Sequence, residues 1–320
     1  MRLTFLGTGT SFGVPQIGCH CPTCTSSDPR DRRTRSAALL ETRGKRLLID
    51  TPPELRLQLV AAGADRVDAV LYTHAHADHV HGIDDLRAIS VRQGAALPAY
   101  GPAATMAELA AKFPYIFDAA IVAHPGTSKP ELAAHVLEPG RRVSVAGVPV
   151  LPLALPHGTL GVFGYRVGPV AYLTDVKAIP DAVAAELMGL DVLVLNALLP
   201  QPHPLHLSIP EAIAAALRIG ARRTFFTHLT HDATHAALAD ELGELRRPLV
   251  VDPLLQVEIW LRQVHQGGRV HVDVVEAGVQ LFLDQAAQRA QLRLRVGAVF
   301  FGVHLDVVAL NEERSGEALA

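Results

Sequence analysis

The chain has 320 residues, of which 49% are hydrophobic, so it is long enough to bury a sizeable core as one large domain or two small ones. Its formal net charge of −3 at pH 7 provides no basic field for nucleic acid or a membrane surface, and we expect neither as a partner. The sequence shows no signal-peptide pattern and no uncharged apolar run of the roughly 20 residues that a membrane helix needs, so we expect a cytoplasmic protein.

Short apolar segments alternate with amphipathic ones as far as residue 250. We predict strands at 3–6, 37–41, 46–49, 69–72, 150–155, 164–167, 170–173, 192–196 and 224–227. We predict helices at 53–62, 83–93, 103–112, 180–188, 209–219 and 233–242, and the helix at 209–219 follows a capping-box pattern, Ser208-Ile-Pro-Glu211. Because hairpin-like pairs at 143–155 and 161–173 lie among the helices, two packed sheets with helices outside are favoured over one doubly wound sheet.

All three cysteines of the chain lie in one short loop, Cys19-His-Cys21-Pro-Thr-Cys24. No cysteine remains elsewhere to form a disulfide framework, and C-x-C-x-x-C without an export signal is typical of metal ligation. The loop is therefore a candidate metal site, with three buried free thiols as the alternative. His20 lies inside the loop, has no assigned role and is expected to be exposed.

The most informative motif, T-H-A-H-A-D-H at 73–79, directly follows the predicted strand at 69–72. Residues on a loop that leaves a strand are held by a rigid scaffold and stay open to a cleft. We expect the four ligand-type side chains of this motif to hold two metal ions side by side: His74, His76, Asp78 and His79. A solvated histidine-rich turn is the alternative.

Three further ligand-type residues come immediately after predicted strands: His157, Asp175 and His228. Taken alone, each of them is equally well explained as a turn or capping residue. Together with the motif at 73–79, they predict one site to which several strand ends contribute.

These strand-end residues resemble the metal ligands of the metallo-β-lactamase-fold hydrolases. The resemblance implies an α/β fold, a four-layer αβ/βα sandwich, over residues 1–252. It implies two ligand sets that share Asp175 as a bridge: His74, His76 and His157 for one divalent metal ion, and Asp78, His79 and His228 for the other. Imidazole and carboxylate ligands suit Zn²⁺, Mn²⁺ or Fe²⁺ and do not choose among them.

The segments F-L-G-T-G-T-S at 5–11 and G-V-P-Q-I-G-C-H-C-P-T-C at 13–24 resemble more narrowly the PhnP-type phosphodiesterases, which hydrolyse phosphoribosyl 1,2-cyclic phosphate. This resemblance implies a structural zinc site with four ligands: Cys19, Cys21, Cys24 and His231. It implies that His206, in an H-L-S segment, acts as a general acid or stabilises the phosphate charge, with His203 as the nearest competitor. Asp78 would help to orient a hydroxide, shared by the two active-site metal ions, that attacks a small, cyclic phosphodiester substrate.

Several other functions stay open. The two-metal centre also serves tRNA 3′-processing endonucleases and thioester or lactone hydrolases, and the cysteine loop occurs in the non-enzymatic carrier type of protein used in pyrroloquinoline quinone synthesis. Every ligand position is filled in this chain, which favours an enzyme. The nearest basic cluster, at 30–35, is more typical of a solvated turn than of a phosphate-binding rail, with a grip on a substrate phosphate as the alternative.

The resemblance covers residues 1–250 and leaves a C-terminal extension, 253–320, of unknown role. Its pattern at 255–260, 269–274 and 298–307 is typical of strands. The three histidines of this part fall in no recognisable ligand spacing and are not expected to be ligands: His265, His271 and His304. An added packing element, a homodimer contact and a foreign reading of the gene are the alternatives for the extension.

Overall fold

The computed structural model describes residues 1–244, 249–251, 257–266 and 269–279. Its strands are β1 (Arg2–Gly7), β2 (Ala37–Thr42), β3 (Lys45–Ile49), β4 (Ala69–Leu71), β5 (Leu97–Gly101), β6 (Leu132–Val136), β7 (Val143–Val145), β8 (Val148–His157), β9 (Leu160–Val167), β10 (Val170–Leu173), β11 (Val192–Asn196), β12 (Arg223–Thr227), β13 (Leu249–Val251), β14 (Val257–Gln266) and β15 (Arg269–Val279). Its helices are α1 (Leu55–Ala61), α2 (Ala77–Val80), α3 (Arg87–Gln93), α4 (Ala103–Lys112), α5 (Pro114–Phe117), α6 (Asp181–Glu186), α7 (Ile209–Ile219) and α8 (His235–Glu244), with short 3-10 turns at Pro29–Asp31 and Ile83–Leu86. None of these helices combines the length and the apolar character that crossing a membrane requires.

The strands form two mixed sheets. Hydrogen-bonded neighbours in the first follow the order β15-β14-β1-β2-β3-β4-β5-β6, and β3 to β6 run parallel. The second has the order β13-β12-β11-β10-β9-β8-β7, and β10 to β13 run parallel. Because β8 and β10 are both antiparallel to β9, the C-terminal ends of β8, β10 and β12 lie at one edge of the second sheet. The C-terminal ends of β3 and β4 lie at one edge of the first.

A hydrophobic core fills the space between the two sheets. Phe5 of β1 and Phe225 of β12 meet there with ring centroids 5.5 Å apart. Side chains alternate along β11, so that Val192 and Val194 belong to this inner core while Leu193 and Leu195 face the other way. The two sheets therefore pack face to face through their apolar inner surfaces.

Two outer cores cover the remaining faces of the sheets. Leu48 of β3 packs with Leu55 of α1 on the outer face of the first sheet. Leu193 of β11 packs with Ile209 and Ala216 of α7 on the outer face of the second. Each sheet is therefore buried on both faces, in the order helices, sheet, sheet, helices. The structure confirms the predicted αβ/βα sandwich.

Each predicted strand up to residue 227 overlaps a strand of the structure, and α4 and α7 have the predicted bounds. The capping box at the start of α7 is also present, with Ser208 Oγ accepting from the backbone N–H of Glu211. The predicted helix at 83–93 is divided into a 3-10 turn and α3. Strands β5 and β6 were not predicted. In β5, Pro98 and the terminal Gly101 are residues that rarely indicate a strand, and β6 is an edge strand whose second half is exposed.

Strands β14 and β15 fall within the predicted C-terminal extension and continue the first sheet. β14 pairs antiparallel with β1, with Trp260 opposite Arg2 and Ile259 opposite Leu3. The described residues all lie within one unit of the chain, Met1–Gln280. The second unit, Leu281–Ala320, lies outside the described residues, and so do the predicted strand at 298–307 and His304. The division of the chain into 1–252 and 253–320 stays a prediction, as does the homodimer alternative.

Candidate metal centres

The ends of four strands bring the predicted ligands together. The motif at 73–79 follows β4, with Asp78 and His79 in the single turn of α2, and His157 is the last residue of β8. Asp175 and His228 follow β10 and β12. Both adopt left-handed backbone conformations, with φ of 57° and 60°, which are unusual for residues other than glycine and concentrate at functional sites.

The seven side chains form two four-ligand groups that share Asp175. The ligand atoms of each group lie within 4.8 Å of one another: His74, His76, His157 and Asp175 in one group, and Asp78, His79, His228 and Asp175 in the other. Asp175 Oδ1 lies 3.3 Å from both His79 Nε2 and His228 Nε2, and Asp175 Oδ2 lies 3.8 Å from His74 Nε2. One carboxylate therefore faces both groups, as the predicted bridge requires.

Burial and neighbouring charges shift the pKa values of several side chains in the two groups. Burial opposes ionisation of Asp175, but the His228 and His79 imidazoles outweigh it and hold the pKa of this carboxyl well below its usual range. Burial likewise opposes the charge on His79, yet Asp175 and the neighbouring Asp50 raise its pKa well above the ordinary value. At His74, burial and the nearby His79 lower the pKa well below the ordinary value. Cations would be stabilised next to such carboxylates.

The buried imidazole nitrogens test whether the groups fit metal ions. His79 Nε2 and His228 Nε2 are buried and have no hydrogen-bond partner within the described part of the chain. Leaving such an atom unsatisfied costs about 1–3 kcal/mol, which a coordinated cation would offset. The opposite nitrogen of His157, Nδ1, donates to the carbonyl of Leu205 at 3.0 Å, which leaves Nε2 as the ligand atom. The donor set and the orphaned atoms therefore fit two divalent cations.

Asp50 belongs to this site and was missed from the sequence. It follows β3, is fully buried, and has a φ of 62°. Its carboxylate accepts hydrogen bonds from the backbone N–H and hydroxyl of Thr73, both at 2.8 Å, and lies 2.7 Å from His79 Nδ1. An acidic residue directly after a predicted strand is the same signal that identified Asp175, and it was available in the sequence.

His206 lies against the ligands, and His203 lies further out. The His206 side chain is 10% exposed, and its ring packs against His157 and stacks on His228 with centroids 4.7 and 4.9 Å apart. Its Nδ1 lies 4.0 Å from Asp175 Oδ2. Burial, followed by the charge of His228, lowers the pKa of His206 to about 3. The His203 ring reaches His206 at 5.1 Å, and its Nδ1 accepts from the backbone N–H of Leu205. Of the two candidates, the structure therefore brings His206 to the ligand groups.

The cysteine loop forms a separate four-ligand group with His231. His231 Nδ1 lies 3.2, 3.5 and 3.3 Å from the Sγ atoms of Cys19, Cys21 and Cys24. The backbone N–H of Cys24 lowers the pKa of Cys21 to about 7, whereas burial raises the pKa of Cys24 to about 11. This arrangement fits a closed tetrahedral Cys₃His zinc site. His20 is exposed and stands outside the group.

Arginines of the basic cluster at 30–35 hold loops together. Arg33, only 1% exposed, donates to the backbone carbonyls of Thr230 and Ala233, on either side of His231. Arg35 pairs with Glu54, and Arg30 pairs with Asp28. These three side chains are therefore engaged within the fold, which argues against a phosphate-binding rail.

Comparisons with known proteins identify the family of this fold. A family model described as a beta-lactamase superfamily domain matches residues 45–229. A solved structure of a new diphosphatase from the PhnP family is 36% identical, with a TM-score of 0.73, and the match covers 82% of this chain and 98% of that one. The Zn²⁺-bound PqqB structure from Methylobacterium extorquens shares the fold, with 19% identity and a TM-score of 0.65. That match covers 79% of this chain and 98% of the PqqB chain.

A curated relative is longer than the region it shares with this chain. An octanoyltransferase from Porphyromonas gingivalis is 40% identical over 250 residues, which is 78% of this chain and 49% of the relative. The chain therefore spans about half the length of that protein.

Proposed function

The chain belongs to the β-lactamase superfamily and, within it, to the PhnP family, and from this membership we propose that it is a metal-dependent phosphodiesterase that cleaves a small, cyclic phosphodiester. The observation that carries the proposal is the pair of four-ligand groups that share Asp175, with the His206 ring packed against them. Family membership supports a hydrolase, and the two ligand groups support a dinuclear centre.

Each group of side chains would hold one divalent cation. When bound, a pair of such ions supplies Lewis acidity toward phosphoryl oxygens and lowers the pKa of water. Zn²⁺, Mn²⁺ and Fe²⁺ all suit the imidazole and carboxylate donors of this site. The Cys₃His group would hold a third ion, a zinc that braces the loops instead of taking part in the reaction.

The protein contributes orientation and hydrogen bonding. Asp175 faces both ligand groups, and Asp78, whose side chain is 12% exposed, supplies a second carboxylate beside His79 and His228. His206 Nδ1 is buried without a hydrogen-bond partner among the described residues, so it is available to an oxygen of the substrate. We assign His206 to the leaving oxygen of the phosphodiester, where developing negative charge needs a donor.

The surroundings favour a small substrate. His76 is the exposed member of its ligand group, so the site opens on that side. Leu160, 47% exposed, follows the end of β8, and Leu205, 37% exposed, precedes His206. These two leucines give the rim of the site an apolar character. Because Arg30, Arg33 and Arg35, near the cysteine loop, are paired within the fold, they offer little grip on a long nucleic acid.

Cleavage of a diphosphate is a second candidate. It is favoured by the 36% identity to a diphosphatase of the PhnP family, 98% of which is covered by the match. Both reactions displace an oxygen at phosphorus and need the same charge stabilisation. Acyl transfer is not proposed, because the octanoyltransferase relative is matched over only 49% of its length.

The test is turnover by the metal-loaded protein. Bis(p-nitrophenyl) phosphate, a ribose 1,2-cyclic phosphate and a nucleoside diphosphate are each offered with Mn²⁺ or Zn²⁺, while metal content is measured by mass spectrometry. We expect the two diesters to be cleaved, and Asp175→Ala and His76→Ala to abolish turnover and lower metal content. His20→Ala, at an exposed histidine outside the ligand groups, is the matched control. Cleavage of the diphosphate alone would select the second candidate, and turnover of none of the three by protein of full metal content would leave the carrier alternative.

A further inference from the structure

A lysine and a glutamate outside the ligand groups hold the segment that carries His206. Lys177 Nζ lies 2.8 and 3.0 Å from the two carboxylate oxygens of Glu211. The same ammonium donates to the backbone carbonyl of His206 at 3.4 Å. Lys177 stands two residues after Asp175, and Glu211 lies in the first turn of α7. The ion pair therefore joins the end of β10 to the start of α7 across the His206 backbone.

Glu211 anchors this arrangement from the helix side. Its Oε2 accepts hydrogen bonds from the backbone N–H of Ser208 at 2.8 Å and from the Ser208 hydroxyl at 3.0 Å. These contacts form the capping box that begins α7, two residues after His206. One carboxylate thus fixes the helix start and the lysine ammonium at the same time.

Hydrogen bonds hold the backbone on either side of His206 to the segments that carry the candidate metal ligands Asp175 and His157. The N–H of Leu207 donates to the carbonyl of Val176 at 2.8 Å, and the carbonyl of Leu205 accepts from His157 Nδ1 at 3.0 Å. By contrast, His206 Nδ1 has no hydrogen-bond partner in the described ranges. No side-chain bond at that nitrogen anchors the ring, so its position depends on the backbone beneath it and on the rings packed against it.

We propose that Lys177, anchored by Glu211, is a positioning residue for His206: it holds the His206 carbonyl and so sets where the imidazole meets the leaving oxygen. The kinetic part of this inference rests on the proposed function, because a leaving oxygen exists only if a phosphoryl ester is cleaved. Small misplacements of a catalytic group are costly, since an error of about 1 Å can lower a rate by about 100-fold.

A leaving-group series separates this role from general support of the fold. A p-nitrophenolate leaves readily without help, whereas a phenolate or an alkoxide needs a donor. For Lys177→Met we expect kcat on a phenyl phosphodiester to fall roughly 10- to 100-fold, with KM, metal content and turnover of bis(p-nitrophenyl) phosphate little changed. Glu211→Gln keeps an acceptor for the capping box but loses the ion pair, and it should change kcat in the same direction. Lys177→Arg should restore most of the rate, and Lys45→Met, at a distant lysine–aspartate pair, should leave it unchanged.

The double variant Lys177→Met/His206→Ala tests whether the two residues act as a unit. If Lys177 acts only through His206, removing it from the His206→Ala protein lowers kcat no further. A further loss in that background would overturn the proposal, because Lys177 would then touch the substrate or support the metal site. A rise in KM at unchanged kcat would overturn it too, since that pattern marks direct binding of the substrate anion.

A second measurement does not depend on activity. In the zinc-loaded protein labelled with ¹⁵N-histidine, we expect Lys177→Met to shift the ring signals of His206 and to leave those of His235 in place. Unshifted His206 signals would reject the positioning role even if no phosphodiester were turned over. Failure of the wild-type protein to cleave any phosphoryl ester, with His206 signals still shifted, would instead count against the proposed function alone.

Discussion

His79 Nδ1 lies 2.7 Å from Asp50 Oδ2, and both side chains are fully buried beneath the candidate active site. The carboxylate holds a proton of this imidazole on Nδ1, which leaves Nε2, 3.3 Å from both Asp78 and Asp175, as the nitrogen that faces the ligand group. A second carboxylate of this kind orients a metal ligand and raises its basicity.

Replacing Asp50 with Asn should therefore weaken metal binding while keeping the shape of the side chain. The amide can still accept from Thr73, but the group that it turns toward His79 is a donor, which favours the wrong tautomer. We expect the metal affinity of the active site to fall by about 10- to 100-fold, as measured by competition with a chelating dye. Asp181→Asn, at a fully exposed side chain, is the control. Equal affinities in the wild-type and Asp50→Asn proteins would show that Asp50 does not orient His79.

Cys21→Ser should separate the cysteine site from the active site. Because a structural zinc contributes to folding directly, we expect the zinc content to fall by about one ion per chain and the unfolding temperature to drop by several degrees. The seven side chains of the candidate active site, Asp175 included, are untouched, so turnover at low temperature should persist with added Mn²⁺. Mass spectrometry of the metals and calorimetry test this, with His20→Ala as the control. An unchanged zinc content would favour free thiols at this loop.

Arg33 should be required for stability, because its guanidinium links Asp31 to the backbone between His228 and His235. It lies 3.4 Å from Asp31, which in turn accepts from the backbone N–H of His235 at 2.6 Å. Removing one partner of a buried pair leaves an uncompensated charge, so Arg33→Met should lower the free energy of unfolding by about 3–5 kcal/mol.

The exposed neighbour Arg32 offers a matched control for that change. Arg32→Met should alter the free energy of unfolding by less than about 0.5 kcal/mol. The double variant Arg33→Met/Asp31→Asn should lose less than the sum of its two single variants, because it leaves no buried charge behind. Equal chemical denaturation curves for Arg32→Met and Arg33→Met would contradict the linking role.

The sequence predicted most of the fold and most of the side chains that meet at the candidate site, and its failures have physical reasons. His157, Asp175 and His228 were identifiable because each comes directly after an apolar strand, and parallel strands end at one edge of a sheet. Asp50 carried the same signal and was overlooked. His231 was reached only through the family resemblance, because its partner Cys24 lies 207 positions away and no local spacing joins them.

The Lys177–Glu211 pair lies beyond sequence reasoning for a related reason. The two residues are 34 positions apart and belong to different elements, and neither stands in a pattern that indicates a site. Their contact with each other, and that of Lys177 with the His206 carbonyl, follows from how the segment after β10 and the start of α7 meet in space, which depends on the packing of the whole second sheet. Positioning residues of this type become visible only when the backbone beneath a catalytic side chain is seen.

Gly82→Ala should displace the helix α2, which carries Asp78 and His79 of the candidate active site. A Cβ at this position would lie 2.0 Å from the backbone carbonyl oxygen of Pro52 and 2.9 Å from the Cβ of Leu55, and a backbone atom cannot move aside cheaply. Gly82 follows α2 by two residues and donates its N–H to the carbonyl of Thr51 at 2.8 Å. The clash would push α2, and with it Asp78 and His79, away from Asp175. We therefore expect the free energy of unfolding to fall by about 1–3 kcal/mol. The active-site metal content should fall as well. Gly161→Ala, where a Cβ would meet nothing within 4 Å, is the control, and full metal content in Gly82→Ala would refute the coupling between this glycine and the ligands.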